Sequence, residues 1–213
     1  MLLVKKIRTL DYVVSTHPHA DHAGGLASIV EHFTVRNFAS GGFHPQDARF
    51  TELVALLRKR GVPIQIWKPG DGIAFGPGAT ATVLQGGNPP PGENPNDASV
   101  VLRVRSSDHA FLLTGDIGEA VEAAMVGSGA AIRSDVLKVG HHGSGSSSTY
   151  PFLLAVRPSL AVLSTGRGVQ YLPSDETLER FTQLDIPVLR TDKHGMIEVC
   201  SDGKALTWRT YAR

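Results

Sequence analysis

The chain is short of several features that would settle its class at once. Cys200 is its single cysteine among 213 residues. One thiol forms no intrachain disulfide and builds no cysteine-rich metal site, so any metal ligands must be imidazoles and carboxylates. Strong charge of either sign is also missing: 21 Lys and Arg face 20 Asp and Glu, a formal net charge of +1. Bulk charge therefore argues neither for nor against a polyanionic substrate, and any nucleic-acid contact rests on a local basic patch. No apolar run approaches a bilayer-spanning length. Met1-Leu2-Leu3-Val4 meets Lys5-Lys6 at once, too short and in the wrong order for a signal peptide. The expectation is a soluble chain with no membrane segment, cytoplasmic by default unless it is a fragment of a membrane protein. There is no internal repeat, and no low-complexity tract beyond Ser144 to Ser148.

The rest is ordinary globular composition, 41% hydrophobic and 19% charged, enough to bury one large core. Asp11 to Ser15 reads as a strand and Leu26 to Phe33 as a short helix. Val35 to Ala39 reads as a strand, and Asp47 caps a helix through Arg60. Strands follow at Ile64 to Trp67 and Thr80 to Leu84, with Pro69 to Gly72 a turn. The segment Gln85 to Asn96, rich in proline and glycine, reads as a surface or active-site loop. Ser99 to Val104 and Ala110 to Leu113 form a strand pair. The remainder alternates: helix Glu119 to Val126, strand Val136 to Val139, helix Tyr150 to Val156, strand Leu160 to Leu163, and a helix capped by Ser174 and running to Leu184. Strands at Pro187 to Leu189, Met196 to Val199 and Ala205 to Trp208 close the chain. This mixture predicts one α/β (α+β) domain over residues 1–213, two sheets sandwiched between helices.

The chemistry concentrates at Ser15-Thr16-His17-Pro18-His19-Ala20-Asp21-His22-Ala23-Gly24-Gly25. If the preceding strand continues, His17, His19 and Asp21 occupy alternate positions and point the same way, while His22 faces elsewhere. Imidazole and carboxylate suit borderline divalent metals such as zinc. Two further strand ends carry the same residue types. Thr114-Gly115-Asp116 follows Phe111-Leu112-Leu113, and the pair His141-His142 stands at the end of Val136 to Val139. Together they suit two metals. His17 and His19 would hold one ion, Asp21, His22 and one of His141 and His142 the other, with Asp116 bridging. Two ions about 3.5–4 Å apart can bring the pKa of a water to ~7 and clamp an in-line displacement. Such a centre suits hydrolysis of a phosphodiester, an ester or an amide.

These residues resemble the metallo-β-lactamase superfamily. Asp11-Tyr-Val-Val-Ser-Thr-His-Pro-His-Ala-Asp-His, Asn96-Asp-Ala-Ser-Val-Val-Leu, Leu112-Leu-Thr-Gly-Asp-Ile-Gly and Asp135-Val-Leu-Lys-Val-Gly-His-His-Gly-Ser resemble one branch of it. That branch is the soluble domain of the ComEC competence proteins, which carry DNA across the membrane. The resemblance implies an αββα sandwich with zinc or manganese ions at one edge of the sheets. It implies His17, His19, Asp21, His22, Asp116 and His142 as ligands, His141 facing the substrate phosphate, and Asp21 also handling the leaving-group proton. The implied substrate is single-stranded DNA or another phosphodiester. Two departures stand out. The family's usual strands before the His motif are absent, so an N-terminally truncated sheet with an open edge, inviting a homodimer, is expected. Leu172 stands where the family usually has His before Pro-Ser. An ester or lactam hydrolase and a catalytically impaired binding remnant are the competing readings.

Smaller signals carry less. Gly143 to Thr149 lacks the Gly-Lys-Ser/Thr ending of a phosphate-binding loop and reads as a flexible loop beside the site. Ser144 is not set in a nucleophile elbow. His32, His44, His109 and His194 are isolated, and Arg190-Thr191-Asp192 is either a plain turn or a brace for a ligand histidine.

Overall fold

The computed structural model describes residues 2, 5–42, 47–76, 78–87, 94–168 and 171–212. His44 and the proline-rich stretch 88–93 lie outside them. By backbone proximity the chain divides into two compact units, Met1–Pro69 with Gln85–Val100, and Gly70–Leu84 with Val101–Arg213.

The first unit is built on short parallel pairings. Strands β1 (Thr9–Leu10) and β3 (Thr34–Val35) pair with each other, and β2 (Val13–Ser15), β4 (Phe38–Ser40) and β5 (Ile64–Ile66) form a sheet in the order β2-β4-β5. Parallel neighbours need crossovers, and α2 (Leu26–His32) and α3 (Ala48–Lys59) lie on those connections. Asp47 caps α3 by accepting from the Phe50 N–H at 2.9 Å. Phe50, Leu53, Val54 and Leu57 recur at helical spacing and meet Val13, Val30, Val35 and Phe38 in one core. The expected strand Val35 to Ala39 is in fact two. At the break the Arg36 guanidinium pairs with Asp11 at 2.6 Å and the Asn37 amide donates to the Asp11 carbonyl at 3.1 Å. Among the described residues β2 pairs only with β4, so it is an edge strand.

The second unit holds a seven-stranded sheet in the order β12-β11-β10-β9-β8-β7-β6. Its strands are β6 (Gly72–Ala74), β7 (Ala79–Gln85), β8 (Val101–Ser106), β9 (His109–Leu113), β10 (Val136–Lys138), β11 (Leu160–Leu163) and β12 (Val188–Arg190). Pairs β6/β7 and β8/β9 are antiparallel, whereas β9 to β12 run parallel. Helices α4 (Glu119–Gly127), α5 (Tyr150–Val156) and α6 (Asp175–Gln183) supply the parallel crossovers. Leu112, Ile117, Leu137, Val139, Phe152, Leu153, Val156, Leu163 and Phe181 form the unit's fully buried core. A short helix α7 (Thr191–His194) and the hairpin of β13 (Met196–Ser201) and β14 (Leu206–Tyr211) finish the chain. Strand β6 and helix α7 were not expected from sequence. Parallel strands share one carboxyl edge, and open α/β sheets bind ligands there. Registers Leu113 to Lys138 and Leu163 to Arg190 bring the loops after β9, β10, β11 and β12 to that edge. Among the described residues no helix is long and apolar enough to cross a membrane.

Candidate metal centre

Each unit presents its own set of metal-ligand residue types. In the first unit, β2 delivers the chain to His17, whose side chain is completely buried. Its Nδ1 sits 3.1 Å from Thr16 Oγ1 and 3.2 Å from Ser99 Oγ. With Nδ1 against hydroxyls, Nε2 is the ring atom that would face a cation. The rings of His19 and His22 close around it, with centroids 4.8 and 4.2 Å from that of His17. His22 Nδ1 also meets Thr16 Oγ1, at 3.4 Å.

The extended reading of this motif is corrected beyond His19. The helix α1 (Ala20–Ala23) begins at once, with the His22 and Ala23 amides donating to the His19 carbonyl at 3.0 and 2.8 Å. Helical backbone sets Asp21 and His22 about 100° apart, rather than Asp21 in line with His17 and His19. The Asp21 carboxylate is 61% exposed and stands 3.8 Å from His22 Nε2.

In the second unit, Asp116 lies just past β9 and is 2% exposed. Thr114 Oγ1 donates to the Lys138 carbonyl at 2.8 Å, tying the Thr-Gly-Asp turn to β10. Gly115, at φ +56, offers its carbonyl to Lys138 Nζ at 3.3 Å and to the His141 N–H at 3.2 Å. One Asp116 oxygen is 3.8 Å from Lys138 Nζ and the other 3.4 Å from His142 Nε2. Of the histidine pair it is thus His142 that stands against Asp116; His141 is half-buried. His142 Nδ1 donates to the Ser164 carbonyl at 2.8 Å. Hydrogen bonding to Asp116 raises the His142 pKa above its ordinary value, against the opposing effect of burial.

The backbone of the His-His-Gly turn is unusual. His141 and His142 are both left-handed, at φ 45 and 51, and Gly143 follows at φ +81. A Cβ on Gly143 would lie 2.6 Å from Pro173 Cβ and 2.8 Å from Leu163 Cδ1. Gly143→Ala should therefore lower stability by about 1–3 kcal/mol, read as a drop in the thermal midpoint, and reduce activity by displacing His142. The Ser174 N–H donates to the Gly143 carbonyl at 2.9 Å, so the Tyr171-Leu172-Pro173-Ser174 segment lies against this turn.

The segment after it is not the loose loop expected from its serines and glycines. Ser147 and Ser148 are 0% and 1% exposed. Buried Glu122 accepts from the Ser148 N–H at 2.5 Å, the Thr149 N–H at 2.8 Å and Thr149 Oγ1 at 2.8 Å. Burial pushes its carboxyl above the usual range, while those donors and Arg180 pull it back. From the other side, Arg180 donates to the Ser147 and Gly145 carbonyls at 2.8 and 3.1 Å and pairs with Glu176. Ser99, Glu122, Ser164 and Arg180 escaped the sequence reading. Only Ser99 left a local signal, the Asn-Asp-x-Ser box. Among the described residues the isolated histidines are tied elsewhere: His32 to Ser28 and His194 to the Arg190 backbone locally, and His109 to Ser201 across 92 residues of sequence.

A divalent cation fits the donor chemistry of both sets. In one unit a wholly buried imidazole is surrounded by two others beside an exposed carboxylate, and in the other a buried carboxylate is bonded to an imidazole fixed through its far nitrogen.

Similarity to known proteins gives the family and the fold. The family model described as "Metallo-beta-lactamase superfamily" matches residues 1–167. ComE operon protein 3 of Bacillus subtilis (strain 168) is 29% identical over 211 residues, covering 99% of this chain and 27% of that protein. Competence protein ComA of Neisseria gonorrhoeae is 33% identical over 197 residues, covering 90% of this chain and 25% of that protein. The chain thus spans about a quarter of the length of these curated relatives. Among solved structures, the CmlA beta-hydroxylase E377D mutant superposes with a TM-score of 0.60 at 13% identity, covering 86% of this chain and 43% of that one. At that identity it shows the fold alone.

Proposed function

Because the chain belongs to the metallo-β-lactamase superfamily, with a sequence like the corresponding domain of the competence proteins, we propose that it is a metal-dependent hydrolase of phosphodiesters. Its substrate in this reading is single-stranded DNA or a smaller phosphodiester. His17, His19, Asp21 and His22 of the first unit and Asp116 and His142 of the second are the ligands this reading assigns to two divalent ions, zinc or manganese. When bound, such ions supply Lewis acidity and an ionised water near neutral pH.

The chain's own residues do the remaining work. Ser99 and Thr16 hold the His17 ring by its Nδ1, and the Ser164 carbonyl holds His142 by the same atom. Asp116 is kept in place from two sides by Lys138 and His142. His141 would contact a phosphate oxygen. Asp21, the exposed carboxylate of the set, would take the proton released by the attacking water and pass it to the leaving oxygen. The observation that carries the reading is the grouping of imidazoles: the rings of His19 and His22 lie with centroids 4.8 and 4.2 Å from that of the completely buried His17, three side chains of the kind divalent metals take as ligands. Leu172 carries a second reading, a centre of reduced turnover, because its side chain can neither ligate nor donate.

The test pairs metal content with turnover. Zinc, manganese and iron are quantified in purified protein, followed by assays on single-stranded DNA and a simple phosphodiester with added Mn²⁺ or Zn²⁺. Metal bound and phosphodiester turnover are expected. Less than one ion per chain with no turnover would sink the enzyme reading. Hydrolysis of a lactam or thioester, with neither phosphodiester cleaved, would move the substrate class.

A further inference from the structure

A histidine ligand is only as well placed as whatever holds its second nitrogen. For His142 that partner is the Ser164 carbonyl, at 2.8 Å from Nδ1. The carbonyl of Ser164 and the N–H of Thr165 belong to a single planar peptide unit. Its N–H end is held as well: the Thr165 N–H donates to Thr191 Oγ1 at 2.8 Å. The same hydroxyl donates onward to the Thr165 carbonyl at 2.7 Å. An unbroken line thus runs from the imidazole, through one peptide plane, to a threonine side chain on the next strand's exit. Hydrogen bonds in such a chain polarise one another, so each is stronger than it would be alone.

The fold explains why Thr191 can do this. Leu163 is paired with Arg190 in the parallel register of β11 and β12, so the residues just past both strands emerge side by side. Helix α7 then turns the chain and is itself braced. Arg190 grips Asp192 through two bonds of 3.1 and 2.7 Å, and Arg167 Nε donates to the Asp192 carbonyl at 3.3 Å. Those bonds keep the Thr191 hydroxyl facing residue 165. Only a side chain that donates and accepts at one atom satisfies both ends of Thr165, which limits the position to Thr or Ser.

We propose that Thr191 is a positioning residue for His142, acting through the Ser164–Thr165 peptide to hold Nδ1–H on the Ser164 carbonyl and so aim Nε2 at Asp116. The functional consequence rests on the reading of His142 as a metal ligand; the orientation of the ring does not.

The experiment compares the full chain with Thr191→Val, Thr191→Ser and His142→Ala. Imidazole ¹⁵N correlation spectra of the metal-free protein report whether Nδ1 carries a hydrogen. Wild type is expected to show His142 with Nδ1–H, Thr191→Val a loss of Nδ1–H population, and Thr191→Ser the wild-type pattern. Metal affinity is expected to fall by about 10–100-fold in Thr191→Val and to recover in Thr191→Ser. A folded Thr191→Val protein with the wild-type spectrum and affinity would overturn the proposal. So would an Nδ1 without hydrogen in wild type, a measurement that stands even if Thr191→Val does not fold. If His142→Ala leaves metal binding unchanged, the ligand reading fails, and the ¹⁵N spectra still decide the role of Thr191.

Discussion

Asp116→Ala is expected to lower kcat/KM for a phosphodiester by ~10³-fold or more, the loss of about 4 kcal/mol of transition-state stabilisation. The carboxylate is buried just past β9 and touches both Lys138 and His142. Removing it deletes a proposed metal ligand and takes away the carboxylate that Lys138 and His142 both face. Asp116→Asn keeps the shape and part of the hydrogen bonding but lacks the negative charge, so it should fold better and remain nearly as inactive. Steady-state turnover and metal stoichiometry, measured on both variants, check this. Turnover persisting in Asp116→Ala would refute its role as a metal ligand.

The second large effect is on stability. Glu122→Ala should destabilise the protein by about 3 kcal/mol, seen as a lower urea midpoint. It strips the acceptor from the Ser148 and Thr149 amides and the Thr149 hydroxyl at the entry to α5, all in a place closed to water. Glu122→Gln should lie between the two, since one amide oxygen cannot receive three donors and its NH₂ group would face one of them. Activity is expected to fall further than stability alone requires, because the segment that comes loose follows directly on His141 and His142. A variant as stable as wild type would show that the clamp is redundant.

Much of this was open to a reader of the sequence. Long local patterns survived: the helix capped by Asp47, the helix capped by Ser174, and the apolar runs that became β9, β10 and β11. The motif residues were visible because histidine and aspartate at strand exits have few structural uses. What was hidden depends on partners far away in sequence. Glu122 reads as a surface residue of α4 until Ser148 and Thr149 are placed over it, and Ser99 until it meets His17, 82 residues earlier. Asp21 and His22 were misplaced because a single helical turn, uncapped by any side chain, leaves no periodic trace. Strand β6 (Gly72–Ala74) was missed for the related reason that glycine and alanine have little intrinsic preference for a strand.

The left-handed backbone at His141 and His142 has a consequence for anyone who tries to toughen this protein. An L-residue in that conformation costs roughly 1–2 kcal/mol relative to glycine. Selection for heat resistance alone would therefore drift toward Gly or Asn at both positions and gain at each step. It would discard the imidazole beside Asp116 on the way. A library of this chain has to be screened for metal retention together with melting temperature, or its best survivors will be empty scaffolds.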